Sequence, residues 1–477
     1  MTKMFTSSLA NILTWVSRGI LLLAAIAGSL SNADAQTLPG SGKALTFSGF
    51  GNYINAGAGN RNITQQVTVE AWIKTSTSNY QFVLGKYSDG SGQDKGYHLV
   101  TNGGRAGFHG RAGVGQYFTS GLSVTRVDDG RWHHLAGVCT GSTWQVYVDG
   151  ILEGSTTYNY TNGNLASSVP MAIGMYYLAN DQFFNGQMDE VRVWNSARTE
   201  AHIRTDMCRR FATIPGNLVA YYRFDQSSGQ VANDEGSVPA NGSLVGFSGN
   251  PWVTSGAAIG DASVAGYPSA GINVARMWLF AANRDSAVVT NVNAQNKGIH
   301  LYAVNSTPQV SPGTGTAPSY FGVFSVPATS SYTVRLSPES GTVPASGLYT
   351  RTANDALAWN TTSPTVTAST LVLDNQTYRN EYIMTGRTLA TASAQLSAQV
   401  SVYPNPAHRT VWVQLPASAS QQSVVTIYNT LGQQLLTQKL IDSRAAQQLP
   451  LPALAKGVYT VRIALAEGTV TKRLVIE

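Results

Sequence analysis

The segment VTVEAWIK, Val67 to Lys74, alternates without a break. Val67, Val69, Ala71 and Ile73 share one face, and Thr68, Glu70, Trp72 and Lys74 share the other. A period of two belongs to a strand, not a helix, and it fixes which side chains enter the core. FVLGKY, GYHLVTN, AGFHGR, RWHHLAGV, TWQVYVDG, PMAIGMYY and GQMDEVRVW follow between residues 44 and 211. Their short, regular spacing is that of a two-sheet sandwich. One helix interrupts, SARTEAHIRTDMCRRF, with Ser196 as its cap and Ile203 and Met207 four residues apart. With 47 Gly, 22 Tyr and only 12% charged residues, the composition also suits short strands and tight turns. The fold class is all-β.

A length of 477 residues exceeds one ordinary core and implies about three domains. The first 35 residues read as a signal peptide. Lys3 and Arg18 precede the apolar run GILLLAAIAGSL, and Ala33 and Ala35 form the small-residue cleavage site, so the mature chain begins at Gln36. The apolar run is too short to span a bilayer stably, and no transmembrane segment is expected in the mature chain. The net charge of +6 is not gathered into any basic run, which argues against a nucleic-acid partner.

The order L-x-F-x-G, V-T-V-E-A-W-I, W-H-H-L-A, Y-V-D-G and G-x-M-D-E-V-R-V-W-N-x-A-R resembles the laminin-G-like jelly roll of the concanavalin A-like superfamily. It covers roughly residues 40 to 212 and implies two antiparallel sheets, with residues 36–216 as the first domain. LVAYYRFDQSSGQ resembles the opening of a second such module, and residues 217–262 are expected as an appendage on the first. Residues 263–389 are β-rich, with turns rich in Pro, Ser and Thr, and resemble an unnamed sandwich module of Bacteroidetes surface proteins. Residues 390–399 read as a linker. Residues 400–477 resemble the type A C-terminal sorting domain of the type IX secretion system. The resemblance rests on Pro404, Asn405, Pro406, Leu431, Gly432, Gly457, Val458, Tyr459, Lys472 and Arg473. It implies a small immunoglobulin-like sandwich, passage across both membranes by the type IX machinery, and removal of this domain.

The pair His133-His134 suggests a metal site, but neighbours in a strand point to opposite faces. Trp132, His134, Ala136 and Val138 share one side, and His133, Leu135, Gly137 and Cys139 the other. One ion cannot be held by both, so the histidines are expected to be structural. The aspartates of DDGRW and YVDG are expected as turn formers. If Gly103 and Gly104 form a two-residue loop, His98 faces His109 across a hairpin, a pair with no evident third ligand. Cys139 and Cys208 are the only cysteines. Export makes a disulfide between them the expectation, with two buried thiols as the alternative.

Glycoside hydrolases of the superfamily need two cooperating carboxylates, and retaining members carry them as E-x-D-x-x-E on one strand face. That pattern is absent. Glu70 stands alone in its strand, and Asp189 and Glu190 are adjacent, so regular geometry sends them to opposite faces. No catalytic residues are assigned, and no cofactor beyond calcium is considered. Asp89, Asp94, Asn180 and Asp181 are the candidate calcium ligands, because they offer oxygen atoms from two rim loops. Solvated loops are the simpler alternative. Tyr87, Tyr117, Tyr176 and Tyr177 are candidates to stack on sugar rings. The sequence therefore points to an exported, non-enzymatic protein that recognises a glycan or an extracellular protein. A polysaccharide hydrolase or its accessory subunit, and a structural surface or gliding component, are the alternatives.

Overall fold

The computed structural model describes residues 38–59, 63–89, 94–113, 116–159, 163–268, 276–312, 318–339, 347–356, 358–367, 369–385, 399–415, 423–429, 433–440, 446–465 and 468–477. The signal segment with Ala35 and Gln36, most of the linker, Leu431 and Gly432 lie outside them.

The first sandwich has two eight-stranded sheets. Sheet I runs Ile151–Thr157, Thr143–Val148, Trp132–Cys139, Val67–Lys74, Asn185–Trp194, Lys43–Ser48 and Trp252–Thr254, with Leu218–Tyr222 also paired to Asn185–Trp194. Sheet II runs Val231–Ala232, Gly242–Val245, Tyr53–Asn55, Ala172–Ile173, Gln81–Ser88, Lys95–Asn102, Arg105–Ala112 and Tyr117–Arg126. Val67, Val69, Ala71 and Ile73 enter the core between the sheets, as the alternation requires, beside Leu99, Phe108, Trp144 and Val193. Sheet I also buries its other side. Trp72 and Trp132 lie there in a second apolar cluster, which explains a strand that is buried on both faces.

Residues 217–262 are woven into this sandwich. Leu218–Tyr222 pairs with Asn185–Trp194, Gly242–Val245 with Tyr53–Asn55, and Trp252–Thr254 with Lys43–Ser48. The segment read as an appendage thus supplies strands to both sheets, and Val219, Tyr222, Phe224, Leu244 and Trp252 join the core.

The helix α1 covers only Glu200–Asp206, and its cap is Thr199, whose hydroxyl accepts the His202 amide at 3.2 Å. Ser196 cannot serve as the expected cap because the chain there is still bound to the sheet. The Ser196 carbonyl accepts from Thr68 Oγ1 at 2.8 Å, and that Thr68 hydroxyl oxygen accepts the Arg198 amide at 2.9 Å. Ile203 and Met207 are buried, as their spacing implies. No helix among the described residues is long and apolar enough to cross a membrane.

The second sandwich stacks a six-stranded sheet, from Ala262–Gly266 to Asn360–Thr362, on a five-stranded one, from Met277–Phe280 to Thr365–Thr367. It packs on the first through a shared cluster in which Trp72, Trp132, Met207 and Cys208 meet Tyr302, Tyr320, Phe324 and Ile383. Trp72 Nε1 donates to the Met207 carbonyl at 2.8 Å, and Arg379 reaches the Ala257 carbonyl at 2.7 Å.

The third sandwich pairs a three-stranded sheet with a four-stranded one and has its own core around Val411, Val413, Ile427, Val461, Ile463 and Leu474. Its Pro404-Asn405-Pro406 turn is tied to the last strand, Gly468–Ile476. Asn405 Nδ2 donates to the Arg473 carbonyl at 2.7 Å, and Asn405 Oδ1 accepts the Val475 amide at 2.8 Å. Gly457 opens the preceding strand, and Tyr459 donates to the Ala455 carbonyl at 2.7 Å. Two motifs far apart in sequence therefore close one small sheet pair.

Candidate functional site

His133 and His134 do diverge, and neither is placed to hold a metal with the other. His133 is clamped by the turn that precedes its strand and the turn that follows the neighbouring strand, Thr143–Val148. Its Nδ1 lies 2.8 Å from Asp149 Oδ2 and its Nε2 lies 3.2 Å from Asp129 Oδ1. Burial opposes its charge, but Asp149 and then Asp129 prevail and hold its pKa at about 10. The turn aspartates are thus its counter-ions as well as turn formers. Asp149 also accepts the His134 amide at 2.8 Å. His134 packs edge-on against Trp72, and its Nε2 lies 3.3 Å from Glu70 Oε2. Burial pushes the Glu70 carboxyl up, yet His134, Arg198 and Arg192 together keep it below the ordinary carboxylate range.

Asp189 and Glu190 do not follow strict alternation. A bulge shifts the register between Asp189 and Arg192, and Glu190 takes the left-handed conformation at φ 52°. Met188, Val191 and Val193 keep their places in the core, so the extra residue puts Glu190 on the same outer side as Asp189. The opposite-face expectation is corrected by this bulge. Both acids are nevertheless buried in internal contacts. Ser255 donates to Asp189 at 2.5 Å, while Glu190 takes the Arg192 guanidinium and the Tyr221 hydroxyl, each at 2.5 Å.

The expected disulfide is not formed. Cys139 lies in the core between the sheets, and its Sγ donates to the Gln65 carbonyl at 3.3 Å. Cys208 lies in the cluster on the far side of sheet I. The sheet itself separates the two buried thiols.

The described surface has one place where several candidates converge, the outer face of sheet II. The hairpin register is the one implied by the Gly103-Gly104 loop. Asn102 pairs with Arg105, and His98 faces His109. Two rows of side chains result. Gly85, His98, His109 and Thr119 align across four strands, and Tyr87, Gly96, Arg111 and Tyr117 align beside them. Glycine is required twice. A Cβ at Gly85 would meet the His98 Cβ at 2.6 Å, and a Cβ at Gly96, whose φ is +113°, would strike the Lys86 carbonyl. The bare Gly96 lets Arg111 Nε reach Tyr87 Oη at 2.9 Å.

These residues wall a hollow of about 180 Å³ lined by Tyr80, Phe82, Tyr87, Asp89, His98, Arg111, Tyr117, Tyr176 and Gln182. Tyr87 Oη accepts from Arg111 and donates to Asp89 Oδ2 at 3.4 Å, while Tyr176 donates to Asp89 Oδ1. Arg111 Nη1 pairs with Asp94 at 3.1 Å and its guanidinium lies 5.6 Å from the centre of the Tyr117 ring. His98 stacks on Phe82 at 5.3 Å, and His109 Nδ1 lies 2.7 Å from Tyr117 Oη. Burial lowers the His109 pKa to about 4. Burial, then His109 and Arg111, put His98 well below its ordinary value. Both imidazoles are neutral at neutral pH. Burial also pushes Tyr87 up to about 12.

The four expected calcium ligands do not form one set. Asp89 is engaged by tyrosine hydroxyls and Asp94 by Arg111, while Asn180 and Asp181 line a neighbouring hollow. Among the described residues no three acidic, His or Cys side chains are spaced to share an ion. Tyr87, Tyr117 and Tyr176 do meet, whereas Tyr177 packs against Tyr53 at 6.3 Å. Arg111 escaped the sequence reading, although it lies two residues beyond His109 and therefore on the same face. Tyr80 and Gln182 lie outside strands and left no periodic signal.

Residues 47–204 match the family model of the concanavalin A-like lectin/glucanases superfamily, and residues 401–477 match the secretion system C-terminal sorting domain. No curated protein matches the chain. Among solved structures, it is similar to a candidate carbohydrate binding protein from Bacteroides ovatus, with 22% identity and a TM-score of 0.36, over 46% of this chain and 62% of that one. The chain therefore spans less than two thirds of that relative. It is similar to the SAP-like pentraxin of Limulus polyphemus, with 14% identity and a TM-score of 0.28, over 35% and 81% of the two chains. It is also similar to the Ruminococcus gnavus IT-sialidase CBM40 bound to alpha2,3 sialyllactose, with 15% identity and a TM-score of 0.28, over 34% and 96%.

Proposed function

We propose that this exported chain, which carries a concanavalin A-like domain and a type IX sorting domain, is a glycan-binding protein whose site is the hollow on the outer face of sheet II. The sorting domain directs it across both membranes to the cell surface or the extracellular space. The observation that carries the glycan reading is the mixture of groups in one small hollow. Tyr rings offer faces for the C–H side of a sugar ring, and Asp89, Arg111 and His98 offer hydrogen bonds to its hydroxyls. The polar groups are held by one another, so the site is preorganised and binding orders few side chains.

Recognition rather than hydrolysis is supported by the state of the acids. Asp89 is tied to two tyrosines and Asp94 to Arg111. Asp189 and Glu190 are sealed inside the protein, out of reach of a polymer. The role is adhesion or capture of glycans at the surface, with the mature protein either released or attached to lipopolysaccharide.

The test is a glycan array with the mature chain from Gln36, run with and without calcium. The expected result is a defined group of glycans that Arg111→Ala no longer retains. Retention of the same glycans by Arg111→Ala would place the site elsewhere.

A further inference from the structure

A second hollow, of about 380 Å³, adjoins the first and shares Tyr80 and Gln182 with it. Phe50 stands on its rim at 83% exposure, next to Phe183 at 6.0 Å between ring centres. Asn79, Asn180 and Asp181 line it as well. Gln182 is held at the junction in the left-handed region, at φ 55°. Its carbonyl accepts the Phe82 amide at 2.8 Å, which pins this backbone to sheet II. A residue with a Cβ is rarely kept there unless its surroundings enforce it, and such positions cluster at binding sites. Tyr80, 39% exposed, forms the other part of the divide.

We propose that the two hollows are successive subsites for one neutral oligosaccharide of at least two sugar rings. This rests on the glycan reading and deepens it. The terminal ring occupies the small hollow among Tyr87, His98, Arg111 and Tyr176. The next ring crosses Tyr80 and Gln182 and lies against the Phe50 shelf, with its hydroxyls on Asn79 and Asn180. Size supports this division, because the first hollow, of about 180 Å³, is the smaller and the second, of about 380 Å³, is the larger. The exposed phenyl ring of Phe50 is costly to leave in water and suits the apolar face of a sugar. Charge sets the class. Asp89, Asp94 and Asp181 outnumber Arg111, and His98 and His109 are uncharged, so a carboxylate-bearing sugar meets repulsion without a free cation to receive it.

The test is calorimetric titration of the full mature chain with named probes. These are the methyl glycosides of glucose, galactose, mannose and N-acetylglucosamine, the di- and trisaccharides built from each, and the matching uronic acids. The expected result is that one neutral oligosaccharide binds at least tenfold more tightly than its methyl monosaccharide, and more tightly than its uronic acid counterpart. Phe50→Ala should remove most of that gain and leave the monosaccharide affinity unchanged, because Phe50 lines only the second hollow. Phe50 is exposed, so its truncation does not endanger folding, and unchanged circular dichroism will verify this. Equal affinities for mono- and oligosaccharide, an unchanged ratio in Phe50→Ala, or preference for the uronic acid would overturn the subsite proposal and leave glycan binding intact. Binding of no sugar at all would overturn both.

Discussion

At the residue scale, His133 shows how one position acquires a charge state from its partners. Its pKa is raised from 6.5 to about 10 by Asp149 and Asp129 against the effect of burial. A group raised on folding stabilises fully below its unfolded pKa, and the contribution fades as pH rises through the folded value. His133→Gln should therefore lower stability most near pH 6, by about 1–3 kcal/mol for the lost buried hydrogen bonds. The difference from the native chain should shrink between about pH 6.5 and 10. Calorimetric melting of both proteins across that range checks this, and a difference independent of pH would refute the charged histidine. Gly96 is the second case. Gly96→Ala forces a Cβ into the Lys86 carbonyl at a φ suited to glycine. It should destabilise the first sandwich by roughly 1–3 kcal/mol and weaken glycan retention together, since Arg111 reaches Tyr87 across that gap. Melting and array measurements on one sample decide whether the two losses coincide.

At the scale of elements, the strands follow their hydrophobic alternation, and departures come from contacts that alternation does not contain. The bulge at Glu190 adds one residue to Asn185–Trp194 and carries that side chain to the buried arginines. The helix begins at Glu200 because Thr68 ties Ser196 and Arg198 to the sheet, and Thr199 then caps the first turn. In the sorting domain, the final two strands pair along their whole length, and Asn405 binds the last of them. Deleting Lys456 to Glu477 removes both and exposes the core around Val425 and Ile427. The truncated protein should accumulate in the periplasm of its host, while the intact chain reaches the surface without its sorting domain. Fractionation and immunoblotting distinguish the two, and surface display of the truncation would contradict the role of this sandwich.

At the scale of the molecule, sheet I works as a partition. One side faces sheet II, and the other faces the helix and the second sandwich. Cys139 and Cys208 fall on different sides of it, and burial raises both thiols, Cys139 to about 12. The folded protein should resist alkylation at neutral pH, and both cysteines should react after unfolding in the absence of reductant. A native mass two hydrogens lower, with no alkylation of the unfolded chain, would restore the disulfide.

Val67 to Lys74, the hairpin at Gly103-Gly104 and the Pro404-Asn405-Pro406 segment were legible because each depends on neighbours along the chain. Period, turn chemistry and local motif are enough to give strands, register and a sorting sandwich. The same local logic brought His98 to His109 and set His133 and His134 apart. It could not show that Leu218–Tyr222 and Trp252–Thr254 complete the first sandwich, or that the two cysteines are kept apart. Nor could it place Tyr80 and Gln182 beside Arg111, or send Asp89 and Asp181 into different hollows. Those outcomes depend on which distant segments pack together, and the energy that selects them comes from burying surfaces that meet only when the sheets close.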